Sequence, residues 1–168
     1  ARTNETLGAR WSEIDLESSV WTVPAAKMKM GVLHRVPLSK AAIGVLRRVS
    51  GKNLPKGTDY VFPGAAKGSP LSNMTMLGLT KRLSGDASLT THGFRATFRG
   101  WAANRTRYGT DVQEAALAHA EGHASKAAYQ RTDLYEKRIP LMRRWAIYLR
   151  TELRLQRAAT AEPPDDDA

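Results

Sequence analysis

Cysteine is absent from this 168-residue chain. Disulfides and cysteine-ligated zinc or iron–sulfur centres are therefore excluded, and a reducing compartment is compatible. No apolar run approaches the roughly 18 residues that a membrane-spanning helix needs. No segment repeats. Aromatic residues are few, at 7% of the chain, and the four tryptophans (Trp11, Trp21, Trp101 and Trp145) read as core, as do Phe94 and Phe98. A starting methionine is also missing. Ala1 opens directly into a helical pattern with no capping residue before it, as in a domain cut from a longer chain.

Acids are in short supply as well. The formal net charge is +10, with 26 lysines and arginines against 16 acids. Four of those acids fall between Glu162 and Asp167, so the rest of the chain carries a net charge of +14. A body this basic suggests a polyanionic partner, of which nucleic acid is the commonest. The bland alternative is a basic protein with no such partner. The Pro- and Asp-rich end, AEPPDDDA, reads as a disordered tail over residues 158–168.

What is present is mostly helical pattern. Residues 2–9 read as the end of a helix. Between Arg10 and Lys40, apolar residues sit among Ser, Gly and Pro breaks, which predicts three short antiparallel strands near residues 12–16, 19–24 and 33–37. The stretch AAKMKMGVLH joins the last two. Ser39 is placed to cap a helix, KAAIGVLRRV, that buries Ile43 and Leu46. A loop over residues 51–70 contains VFP as a short extended piece. Further helices are expected near 71–83, 92–106, 110–119 and 123–131. The last helix is expected over 134–155, with a stripe of Ile139, Met142, Trp145, Leu149 and Leu153 and with Pro140 in its first turn or at a kink. The expected class is mainly α with a small three-stranded antiparallel sheet (α+β).

The stretch LAHAEGHASKAAYQR, residues 117–131, holds the densest chemistry. His119 and His123 lie four apart, a spacing that zinc sites use. Yet the pattern is H-x-E-x-H, a turn at Glu121-Gly122 breaks the helix between them, and no third ligand is evident. A polar helix junction with a buried tyrosine is the plain reading. Upstream, THGFRATFRGWA places His92 and Arg95 one turn apart on one helix face. Thr91 is placed to cap that helix, which sets both residues near its positive end, where anions bind. Arg95 stands between Phe94, Ala96 and Phe98, and an arginine on so apolar a helix has a partner or a purpose.

Phosphoryl chemistry asks for several cations around one phosphate, because arginine forks match phosphate oxygens and prealigned cations favour the transition state. It also asks for an in-line nucleophile, a role tyrosine can fill, and for a proton donor to the departing alkoxide. Arg2, Lys29, His92, Arg95, His119 and Tyr129 offer such a set in chain order.

In that order and spacing the set resembles the tyrosine recombinases, the phage-integrase family, and within it the integrases of prophages and genomic islands. The resemblance runs from Ala1 to about Leu149. ARTNETLGARWSEIDL resembles the family's first-arginine segment, with Arg2 followed by the acid Glu5. VWTVPAAKMKMGVLHRVPLS resembles its β-hairpin, with Lys29 at the catalytic lysine and Lys27 two residues away as the alternative. THGFR gives the His92–Arg95 pair, LAH gives His119, and AAYQR gives the nucleophile, Tyr129.

The resemblance implies a tyrosine-recombinase catalytic domain over residues 1–157, truncated at its N-terminal side and separated from arm-binding and core-binding domains. It implies that Tyr129 attacks the scissile phosphate to form a 3′-phosphotyrosine. Arg2 and Arg95 would hold the non-bridging oxygens, Lys29 would protonate the 5′-oxygen, and His92 and His119 would position the phosphate or assist proton transfer. All six would meet in one basic pocket. No metal or cofactor is implied, because the phosphotyrosine keeps the bond energy. The implied partners are double-stranded DNA attachment sites and the other protomers of a tetramer on DNA, with a monomer in its absence, no membrane, and a bacterial cytoplasmic location. A type IB-like topoisomerase and a non-catalytic DNA-binding module are the competing readings.

Overall fold

The computed structural model describes residues 1–51, 55–119 and 133–160, with residues 159 and 160 as backbone only. Its elements in chain order are α1 (Thr3–Leu7), β1 (Ile14–Asp15), β2 (Val20–Val23), β3 (His34–Pro37), α2 (Lys40–Ser50), α3 (Asn73–Ser84), α4 (Gly93–Arg105), α5 (Thr110–Ala116) and α6 (Tyr135–Thr160). The expected class, mainly helical with one three-stranded antiparallel sheet, is what forms. The expected helix at 123–131 and the acidic residues 161–168 lie outside the described residues.

The sheet order is β1-β2-β3. Trp21 pairs with Ile14 on one side and Val36 on the other, and Val23 pairs with His34. Alternation along β2 puts Trp21 and Val23 in the core, as a half-buried strand requires. Between β1 and β2 the Asp15 carboxylate accepts from the backbone N–H groups of Glu17 and Ser18, both at 2.9 Å, which turns the chain. Ser39 caps α2 by accepting from the Ala42 N–H at 3.2 Å, and Ser72 caps α3 in the same way from Thr75. Val61, in the expected VFP piece, donates to the Ala9 carbonyl and is buried under the sheet.

Two apolar clusters result. One gathers Ala9, Trp21, Val23, Met28, Leu46 and Val61 around the sheet. The other gathers Phe98, Trp101, Ala102, Val112, Leu117 and Leu141 between α4, α5 and α6. Trp11 packs partly buried on the first cluster and Trp145 on the second. Trp145 and Tyr148 stack with ring centroids 5.5 Å apart, and Trp101 packs tilted against both.

Three expectations are corrected. Phe94 is not a packing residue: it is 57% exposed, because α4 turns Phe98 and Trp101 inward instead. The α6 stripe holds only in part, with Met142 and Trp145 packed inward as expected. Leu149 and Leu153 are exposed, and the inward face carries Arg138, Leu141, Met142 and Trp145. Of the two places expected for Pro140, the first turn is ruled out, because it is the sixth residue of α6.

Arg138 ties α6 to the sheet. This side chain is 1% exposed. It donates to the Arg35 carbonyl at 2.6 Å and to Asp133 at 3.2 Å, and Asp133 also takes a two-point bond from Arg35 at 2.7 and 2.8 Å. Removing this buried cation would leave the Arg35 carbonyl without its partner, so Arg138 holds α6 in this register against β3. Among the described residues, no helix is long and apolar enough to cross a membrane.

Candidate active site

α1 carries two residues of the site at its start. Glu5 is 3% exposed and folds back on Arg2, accepting from the Arg2 backbone N–H at 2.6 Å and from its guanidinium at 3.0 Å. Burial pushes the Glu5 carboxyl up, but these Arg2 bonds outweigh it and hold the group below the usual carboxylate range. The guanidinium is thereby aimed across to the end of α5, where Arg2 Nη2 donates to the Ala118 carbonyl at 3.3 Å. Thr3 and Thr91 join through their hydroxyls at 3.2 Å, which brings α1 against the start of α4.

His92 stands at the N-cap position of α4, with a helical backbone and no side-chain cap bond. Thr90, not the expected Thr91, supplies the capping oxygen, accepting from the Gly93 N–H at 3.1 Å. Arg95 is the third residue of α4 and is half-buried. Its Nη2 donates to the Leu117 carbonyl at 2.7 Å, and its Nη1 is buried with no hydrogen-bond partner. Burial first, and then the like charge of Arg2, push the Arg95 pKa down. Two guanidiniums thus hold successive carbonyls, Leu117 and Ala118, in the turn that ends α5. Ala118 adopts the left-handed conformation at φ 50°, which exposes both carbonyls to them.

His119 follows directly. Its Nε2 lies 2.9 Å from Arg95 Nη2 and its Nδ1 2.7 Å from a Glu114 oxygen. Arginine N–H groups only donate, so Nε2 must accept and the proton sits on Nδ1. Both ring nitrogens are then engaged by neighbouring side chains. His123, the other half of the H-x-E-x-H pattern, lies outside the described residues.

The hairpin distinguishes its two lysines. Lys27 pairs with Glu13, which also accepts from the Trp21 indole at 3.1 Å, and Lys27 donates to the Gly8 carbonyl at 2.6 Å. Met28 is buried in the sheet core. Lys27 and Met28 thus pin the hairpin, and Lys29 is the first residue beyond the pin. Lys29 is exposed and has no hydrogen bond or ion pair with the described residues. It lines a cleft of about 420 Å³ together with Arg2, Glu5, Lys27 and His92.

Of the six expected site residues, Arg2, Arg95 and His119 therefore meet at the end of α5, and Lys29 and His92 share a cleft with Arg2. Tyr129 lies outside the described residues. Glu114 was not singled out from the sequence. The signal available was a carboxylate five residues before a site histidine, across a helix end.

The family model of the phage integrases matches residues 1–136, which contains this whole constellation. The chain belongs to the phage integrase family. Prophage integrase IntA of Escherichia coli K12 is 39% identical over 146 residues, covering 86% of this chain and 35% of that protein. The integrase of Shigella phage Sf6 is 30% identical over 91% of this chain and 40% of its own length. The integrase of Enterobacteria phage P4 is 31% identical over 88% of this chain and 37% of its own. This phage-integrase family member thus spans between a third and two fifths of the length of these relatives. No solved structure gives a match. Its helical body and three-stranded sheet are consistent with the tyrosine recombinase catalytic fold.

Proposed function

We propose that the chain is the catalytic domain of a site-specific DNA recombinase, with residues 1–157 as that domain, and that it breaks and rejoins DNA strands through a 3′-phosphotyrosine. One observation supports this most: the guanidiniums of Arg2 and Arg95 turn onto neighbouring carbonyls at one helix end, beside His119. Two cations held this close repel one another, and an anion between them relieves that repulsion. The N-terminus of α4, where Arg95 sits, adds its dipole to the same end.

In this reading Arg2 and Arg95 bind the non-bridging oxygens of the scissile phosphate. Tyr129 attacks phosphorus and the bond to the 5′-oxygen breaks. Lys29, which extends beyond the pinned part of the hairpin, gives that oxygen its proton. His92 and His119 hold the phosphate or carry protons. Rejoining reverses these steps with a 5′-hydroxyl as nucleophile, so no outside energy source enters. The partners are double-stranded attachment sites and further protomers on the DNA, in the bacterial cytoplasm. The relatives are named integrases, which favours recombination over simple relaxation of supercoils.

The test is a nicked suicide substrate that traps the covalent complex. The full-length protein should give a DNA adduct whose mass maps to the peptide containing Tyr129. Binding without any adduct would leave only a DNA-binding module.

A further inference from the structure

Glu114 lies in the last turn of α5, with its side chain only 13% exposed. It holds His119 in two ways. Its carboxylate accepts from the His119 ring at 2.7 Å, and its backbone carbonyl accepts from the His119 N–H at 3.0 Å. Its second oxygen lies 2.8 Å from Arg99 Nε, an ion pair without hydrogen-bond alignment. Arg99 is one helical turn beyond Arg95 on α4. The carboxylate is thus clamped from α4 and directed at the histidine.

From this geometry we infer that Glu114 is a positioning residue of the phosphate site: it holds the His119 imidazole with its proton on Nδ1 and its Nε2 lone pair turned to Arg95. The inference rests on the reading of Arg95 and His119 as parts of that site. The physical reason is the choice between tautomers. A free imidazole prefers its proton on Nε2. In that form Nε2–H would face the Arg95 N–H, two donors with nothing between them. A carboxylate on Nδ1 reverses the preference and fixes the ring plane, as carboxylates behind working histidines do elsewhere. Arg95 Nη2 is then shared between His119 and the Leu117 carbonyl, which sets where its fork points. Small misplacements of such a group are costly to a reaction that depends on alignment.

The test uses the full-length protein labelled with ¹⁵N-histidine, the His119 signal being assigned by its loss in His119→Ala. Wild type should show the Nδ1–H tautomer. Glu114→Ala should shift it toward Nε2–H, slow single-turnover cleavage of a suicide substrate by about 10- to 100-fold, and leave DNA affinity within about threefold. Glu114→Gln keeps an acceptor oxygen and should recover the tautomer and part of the rate. In a His119→Ala background, Glu114→Ala should cost less than about twofold more, since the two act as one unit. An unchanged tautomer in Glu114→Ala overturns the inference. So does a full rate loss in the His119→Ala background, which would assign Glu114 to the α4–α5 contact through Arg99. Should wild type form no adduct, the recombinase reading fails, and the tautomer measurement still decides the role of Glu114.

Discussion

Arg95 Nη2 bridges the Leu117 carbonyl, at 2.7 Å, and His119 Nε2, at 2.9 Å. One guanidinium nitrogen from α4 therefore sets both the backbone after α5 and the ring that follows. Arg95→Ala removes a cation from the proposed phosphate site and releases His119. A charge that matters more in the transition state than in the ground state predicts a loss of cleavage rate of about 10²-fold or more. Arg95→Lys restores the charge but not the fork, and should recover only a small part of it. Single-turnover rates on a suicide substrate check both.

The basic body predicts steep salt dependence. With a net +14 before the acidic tail, binding should displace condensed counterions from DNA. Each phosphate neutralised adds about 0.9 to the slope of log affinity against log salt. Affinity measured from low to physiological salt should fall by orders of magnitude. A flat response would mean that the charge is not directed at a polyanion.

His34 predicts a pH effect on stability separate from the site. It is 7% exposed on β3, with its Nε2 buried and unpartnered. Burial, and then the neighbouring Arg138, lower its pKa from 6.5 to about 4, while Glu5 and Asp133 pull the other way. The unfolded chain therefore binds this proton where the folded chain does not. Its cost to stability is absent above pH 6.5 and grows as pH falls towards 4, reaching about 3 kcal/mol. Urea unfolding at stepped pH should show this decline. His34→Leu, which cannot titrate, should flatten the curve over that window while Asp and Glu effects persist at lower pH.

The fold was legible where a local rule decides. Strand alternation in VWTV and the Ser39 cap of KAAIGVLRRV needed only neighbouring residues, and both formed as expected. The face of α6 was legible only in part: Met142 and Trp145 follow the apolar stripe, but Arg138 also turns inward to Asp133 and the Arg35 carbonyl, and no apolar periodicity reports a buried cation. Phe94 misled for another reason: several faces of α4 are apolar, and tertiary packing selects Phe98 and Trp101. At the candidate site, motif order proposed six residues, of which Arg2, Arg95 and His119 come together and Tyr129 lies outside the described residues. That order did not name Glu114, whose importance lies in a contact across a helix end. The motif favoured Lys29 with Lys27 as the alternative, and it is Lys27 that is tied to Glu13 and the Gly8 carbonyl.

The nucleophile itself gives the sharpest test. Tyr129 lies outside the described residues, so its assignment rests on the AAYQR motif and on what the other tyrosines are doing. Tyr135 has the Arg35 guanidinium 4.3 Å over its ring, and burial raises its hydroxyl pKa, both of which suit a packing role. Tyr148 stacks on Trp145 in the α4–α6 cluster. Tyr129→Phe keeps the ring and removes only the oxygen that would attack phosphorus. DNA binding should persist and the covalent complex should vanish. Tyr135→Phe and Tyr148→Phe also keep their rings, so the cation contact and the stack survive, and both variants should form the adduct at rates near wild type. Gel shift measures the binding and denaturing gels the adduct. If Tyr129→Phe still becomes linked to DNA, another hydroxyl is the nucleophile, and residues 117–131 are a polar helix junction beside an anion site rather than part of it.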